Sequence, residues 1–132
     1  MTTGLGGDAP DNVIYEYTDA QAVEDGIKVD LTEWAREAGF TRTVYVTRTV
    51  WDRLIEWADE DTQRQTHQDI SRRAHDVLHM AALAAGKVAD DWFAEFDMLA
   101  IPRDGKARQP QTYRLWAVCD AGGVTIMFPE DY

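Results

Sequence analysis

The sequence predicts an α+β protein, with helices packed on a mostly antiparallel sheet that ends in a C-terminal three-stranded β-meander. Three observations carry this. Short apolar stretches alternate with short helical patterns over the first sixty residues. One long apolar stripe at helical spacing crosses the middle. The last third holds three β-rich runs around turn residues. A chain of 132 residues suits one domain with a real core. We read that domain as 12–132, behind a flexible tail over 1–11.

NVIYEYT, apolar at 13, 14, 15 and 17, reads as a first strand. Thr18 then opens TDAQAVEDG. Gln21 stands where a capping box needs it, and Gly26 can supply a left-handed stop. Ile27, Val29 and Leu31 alternate with polar residues, as in a half-buried strand. Thr32 opens a second helix that Gly39 can close, and TVYV is a further strand. Thr47 can cap a third helix, TRTVWDRLIEWADED. On it Val50, Trp51, Leu54, Trp57 and Ala58 share one side, and Asp52, Glu56, Asp59 and Glu60 share another. DEDTQRQTHQD then reads as an exposed loop or hinge.

A fourth helix is expected from near Asp69 to Ala85, with Gly86 as its stop. Its stripe of Ile70, Ala74, Val77, Leu78, Ala81 and Ala85 faces the core, and its alanines permit close approach. In DWFAEFDMLAI, Glu95 and Asp97 fall on one side and Ala94, Phe96 and Met98 on the other. PRDGKARQP, with Arg103, Lys106 and Arg108, reads as a solvated connection. TYRLWAVC and VTIMF flank DAGG as a hairpin.

The formal net charge is −11. Residues 1–66 carry 14 acids against 6 bases, and residues 67–132 carry 10 against 7. This disfavours direct binding to nucleic acid or an anionic membrane, and it attracts basic protein surfaces. Solubility alone is the other use of such charge. No apolar run reaches the roughly 18–20 residues of a membrane span, and the N-terminus lacks the pattern of a secretory signal. Cys119 is the only cysteine, which excludes an internal disulfide and suits a reducing cytoplasm. Ser71, the only serine, lacks a nucleophile-elbow context, and GLGG lacks the strand and lysine of a phosphate loop. No catalytic residue and no cofactor is assigned.

HDVLH places His75 and His79 about 40° apart on a helix, where both can reach one zinc ion. The pattern has Asp76 where H-E-x-x-H uses glutamate, and it needs a third ligand from His67, Asp69, Asp76, Glu95 or Asp97. A metal-dependent hydrolase is the enzymatic alternative built on this pair. The other reading has both histidines flanking the apolar stripe and packing there.

NVIYEYTDAQAVEDGIKVDLTEWAREAGF, TVYVTRTVWDRLIEW and LWAVCDAGGVTIMFPED resemble a family of short uncharacterised proteins from bacterial chromosomes, plasmids and phages, described as a domain of unknown function. The resemblance covers most of 12–131 and is loose around 60–110. It is most specific at YTDAQAVEDG, VDLTEWAREAGF and TIMFPED. In that family aromatic residues are frequent near the places of His75 and His79. The resemblance implies a small accessory gene of a mobile element, a setting in which inhibitors of host defence are common, and it supplies no catalytic residues.

The working reading is a small acidic, non-enzymatic binding protein. Asp52, Glu56, Asp59 and Glu60 would dock on a basic surface of a nucleic-acid-handling or defence protein, with Trp51 or Trp57 as anchor. Carboxylates recurring about every 5.4 Å turn would mimic phosphates spaced ~3.4 Å apart along a strand. A third reading is a self-associating module, a homodimer paired through an open edge of the meander.

Overall fold

The computed structural model describes residues 18–85 and 93–132. The expected tail over 1–11, the strand over 13–17 and the stop at Gly86 lie outside those residues. Capping chemistry sets the first third. Thr18 accepts the Gln21 N–H at 3.1 Å while the Gln21 side chain accepts the Thr18 N–H at 3.0 Å, which starts α1 (Asp19–Glu24). Gly26, at φ 78°, turns the chain out of that helix into β1 (Lys28–Asp30). Helix α2 (Thr32–Glu37) begins where expected, with a different capping bond. Asp30 accepts the Thr32 N–H, which frees the Thr32 hydroxyl to accept from Val44 N–H at the start of β2 (Val44–Thr47).

Among the described residues the sheet has five strands, ordered β1-β2-β5-β4-β3, with β3 Phe93–Ala100, β4 Gln111–Asp120 and β5 Gly123–Met127. Strands β3, β4 and β5 form the antiparallel meander read from the sequence. The β1–β2 pair is also antiparallel, and it joins the meander through one parallel seam, Val44 opposite Val124 and Val46 opposite Ile126. Gly123 sits at this seam with φ 133°, and a Cβ there would run into the Thr43 carbonyl. Only glycine fits such an approach. The architecture is therefore α+β.

Alternation sends Val44, Val46, Phe96, Met98, Leu115, Ala117, Val124 and Ile126 to one face of the sheet. Helix α5 (Ile70–Ala85) covers that face with Ala74, Val77, Leu78 and Ala81, all fully buried. Each buried Leu, Ile or Val contributes roughly 1.5–3 kcal/mol. After β5, a 3-10 turn (Pro129–Asp131) brings the Asp131 carboxylate to Thr47 and Thr49, whose hydroxyls donate to it at 2.8 and 2.9 Å. The acidic end of TIMFPED thus ties the chain to the strand β2 exit. No helix among the described residues is long and apolar enough to cross a membrane.

The single third helix expected over TRTVWDRLIEWADED does not form. Thr47 caps a short helix, α3 (Arg48–Val50), as predicted. The helix then widens into a π turn, Trp51–Ile55, and the chain becomes extended at Glu56. A new helix, α4 (Asp59–Arg64), occupies part of the segment expected as a loop. The cause is tertiary. Leu54, Ile55 and Trp57 are all buried, and the break lets them pack over a wider arc than the narrow stripe of one helix. Arg73 of α5, 3% exposed, holds the broken end. Its guanidinium donates to the carbonyls of Ile55 (3.1 Å), Arg53 (3.3 Å) and Ile101 (3.0 Å), and it lies 4.5 Å over the Trp57 ring. Burial pushes its pKa down to about 10, so it stays charged at neutral pH.

Arg73→Met is expected to leave three carbonyls short of a donor and to cost about 3 kcal/mol, with Arg73→Lys recovering only part. Urea unfolding measures this. A loss under about 1 kcal/mol would show that the turn holds without the guanidinium.

Candidate functional site

The four carboxylates expected on one helix face sit on three different elements. Asp52 lies in the π turn, exposed, 3.2 Å from Arg48. Glu56 is half-buried in the extended link and accepts from the Trp51 indole N–H at 2.6 Å. Asp59 and Glu60 are exposed in the first turn of α4, where the helix dipole favours negative charge. The even spacing that would imitate a phosphate backbone is lost with the helix. Trp57 is only 5% exposed, under Arg73, and its indole N–H donates to Thr62. It is a core residue and no anchor for a partner. Trp51 is half-buried and packs against the core.

His75 and His79 lie on α5, His75 half-buried and His79 exposed. His75 Nε2 is 3.0 Å from a Glu37 carboxylate oxygen. Among the described residues no group of three or more His, Cys, Asp or Glu side chains could hold a metal ion. The zinc reading therefore lacks its third ligand there. The Ser71 hydroxyl donates to Asp69 at 3.0 Å, and Cys119 is buried beside the Arg42 guanidinium.

Sequence reasoning missed a polar knot under the RDGKAR loop. Asp61 and Gln65, expected in an exposed hinge, are 7% and 3% exposed. Asp61 accepts from Ala58 N–H (2.7 Å) and from Arg103 Nε (2.7 Å). Gln65 donates to the carbonyls of Pro102 (2.8 Å) and Ala107 (2.5 Å) and accepts from Gly105 N–H. The basic loop is thus clamped onto α4. The one local signal was Asp61 three residues after Ala58, where a carboxylate can reach back to an N-cap N–H.

A mainly apolar cleft borders α5 and the edge strand β3. It has a volume of about 380 Å³ and is lined by Asp76, His79 and Met80 from the helix, Asp97, Met98 and Leu99 from the strand, and Thr112 from β4. A smaller cavity of about 160 Å³ shares Asp76, Met98 and Leu99 with it and continues toward Ile101 and Pro110. Arg114 of β4 lies 3.0 Å from Asp97 and 3.5 Å from Glu95. Hydrogen bonding from Arg114 holds the Asp97 carboxyl below its usual range. The arrangement offers an apolar slot rimmed by carboxylates, without a nucleophile and base in contact.

No family model, curated protein or solved structure matches the chain.

Two outcomes follow from this geometry. Burial alone would raise the Asp61 pKa, but the Ala58 N–H and Arg103 bonds outweigh it and bring it below 3.8. A depressed folded-state value stabilises fully above the usual carboxylate range and is lost as pH falls through the folded-state value. Urea midpoints taken from neutral pH into acid should therefore decline through that window in the wild type, and less steeply in Asp61→Asn. Identical acid limbs would remove Asp61 from the account. Zinc should leave the melting temperature unchanged, and a rise that His75→Ala abolishes would restore the metal reading.

Proposed function

We propose that this protein acts by binding another protein rather than by catalysis, and that its partner presents a basic surface. The observation behind this reading is where the positive side chains go. Arg73 is buried on carbonyls. Lys28 pairs with Asp19, Arg48 with Asp52, Arg103 with Asp61, and Arg114 with Glu95 and Asp97. The Arg42 guanidinium donates to the Asp120 carbonyl. These six bases are engaged within the chain, Arg48 and Arg114 in exposed pairs. Among the described residues, Glu33, Asp59, Glu60, Asp76 and Glu130 are exposed carboxylates, in a chain whose formal net charge is −11.

Such a surface speeds encounter with a basic partner and rejects acidic ones more than it sets final affinity. Asp59 and Glu60 remain the recognition charges in this reading, with Asp52 shared with Arg48 and Glu56 committed to Trp51. The resemblance to small proteins of mobile elements supports an accessory role in the cytoplasm, as an inhibitor of a nucleic-acid-handling or defence protein.

Capture from a host lysate near physiological salt, where exposed charges still act over roughly 8 Å, tests the reading. Tagged wild type is compared with Asp52→Lys/Asp59→Lys/Glu60→Lys and with the matching Asn/Asn/Gln variant. Wild type should hold a basic, nucleic-acid-binding protein, the neutral variant should hold less, and the reversed variant none, with each still melting cooperatively. Equal capture by all three would overturn the acidic surface as the recognition element.

A further inference from the structure

We infer that the edge of β3 left unpaired among the described residues, with the cleft beside it, is the docking strand for an extended segment of the partner whose residues alternate basic and apolar. This deepens the protein-binding reading and rests on it.

Strand β3 pairs with β4 over its whole length, from Phe93 opposite Val118 to Ala100 opposite Gln111. Among the described residues no strand pairs with its other side. An eight-residue edge therefore offers outward N–H and C=O groups to an added strand. Its flank is the apolar cleft against α5, floored by Met80 and Met98.

The two faces of β3 set what can be added. A strand's side chains alternate between faces, so an incoming strand turns every second residue toward α5 and the others to the outer face of the sheet. The positions facing α5 meet Met80 and Met98, which accept apolar side chains, while Asp97 and Leu99 of the outer face also border the cleft. The outer positions meet Glu95 and Asp97, flanked by Phe93 and Leu99, which are 50% and 64% exposed. Two carboxylates there share one guanidinium, Arg114, and so retain one negative charge. Asp76 adds another at the cleft rim. Opposite-charge cross-strand pairs stabilise a sheet and like charges opposite one another weaken it. The edge therefore favours lysine or arginine at the outer positions.

The same charges disfavour a second copy of this chain in the registers that centre on them. Antiparallel self-pairing about residue 96 sets Glu95 against Asp97, and pairing about 95 or 97 sets one carboxylate against itself. Parallel pairing in register does the same along the strand.

The test uses the isotopically labelled full chain, followed by NMR with amide exchange. The probes are a short amidated peptide alternating valine and lysine, one alternating valine and glutamate, and one with the valines and lysines segregated into blocks. The alternating lysine peptide should bind, protect amides within Phe93–Ala100, and exceed the block peptide by about tenfold. Glu95→Lys/Asp97→Lys should switch the preference to the glutamate peptide. Should that variant fold poorly, Asp76→Lys, at an exposed helix position, should weaken the lysine peptide in the same direction. Equal binding of both lysine peptides, with shifts around Asp59 and Glu60 instead of β3, would overturn the edge assignment and leave the acidic-surface reading standing. Binding of no peptide would overturn the edge assignment alone, since lysate capture judges the broader reading. Concentration-dependent dimerisation with β3 protected would make a second copy the occupant and also overturn it.

Discussion

A buried guanidinium has five N–H groups and keeps its charge at neutral pH, so it settles only where acceptors converge. Arg73 meets that demand with carbonyls from the π turn and from Ile101, and with the face of Trp57. Those carbonyls exist as free acceptors because the third helix breaks, and the break is tolerable because the guanidinium takes them. Neither half of the arrangement stands without the other. It fixes where α4 begins and where the chain leaves β3 for the 101–110 loop. The edge of the cleft inherits its shape from that loop.

The parts of the fold that could be read from the sequence are those decided within a few residues. The Thr18–Gln21 box, the alternation in FAEFDMLA and the stripe on α5 each rest on neighbours at fixed spacing. The break after Ile55 does not. Its acceptors and donor are separated by 18 residues between Ile55 and Arg73 and by 28 between Arg73 and Ile101. A strong local helical pattern gave way to that long-range bonding. The same reason hid Asp61 and Gln65, whose partners lie about 40 residues away in a loop that looked solvated. The candidate surface suffered most, because Asp52, Glu56, Asp59 and Glu60 were grouped by a helix that is interrupted between them. His75 and His79 were placed correctly on α5, and their surroundings were the unreadable part.

Carboxylates therefore do two kinds of work in this chain. Asp61 and Asp131 are turned inward to hold a loop and a chain end. Glu95, Asp97 and Asp76 stand along an otherwise adhesive edge. A strand left unpaired among the described residues beside an apolar cleft invites indiscriminate pairing, and charge of one sign is a standard protection against it. Placed on alternate positions of one face, that protection is also a filter, since it leaves open the pairing that brings charge of the other sign.

The parallel seam between β2 and β5 has a consequence for how the protein reaches this state. It joins Val44 to Val124, so two halves of the sheet meet across a span of 80 residues. Each half is a local antiparallel unit that can assemble early. Strand β5 alone bridges them, and it follows every other described strand in the chain. Closing so long a loop before its contacts reward it is slow. Until it closes, both flanks of the future seam are open strand edges, and the protein spends its most aggregation-prone interval waiting for its central strand.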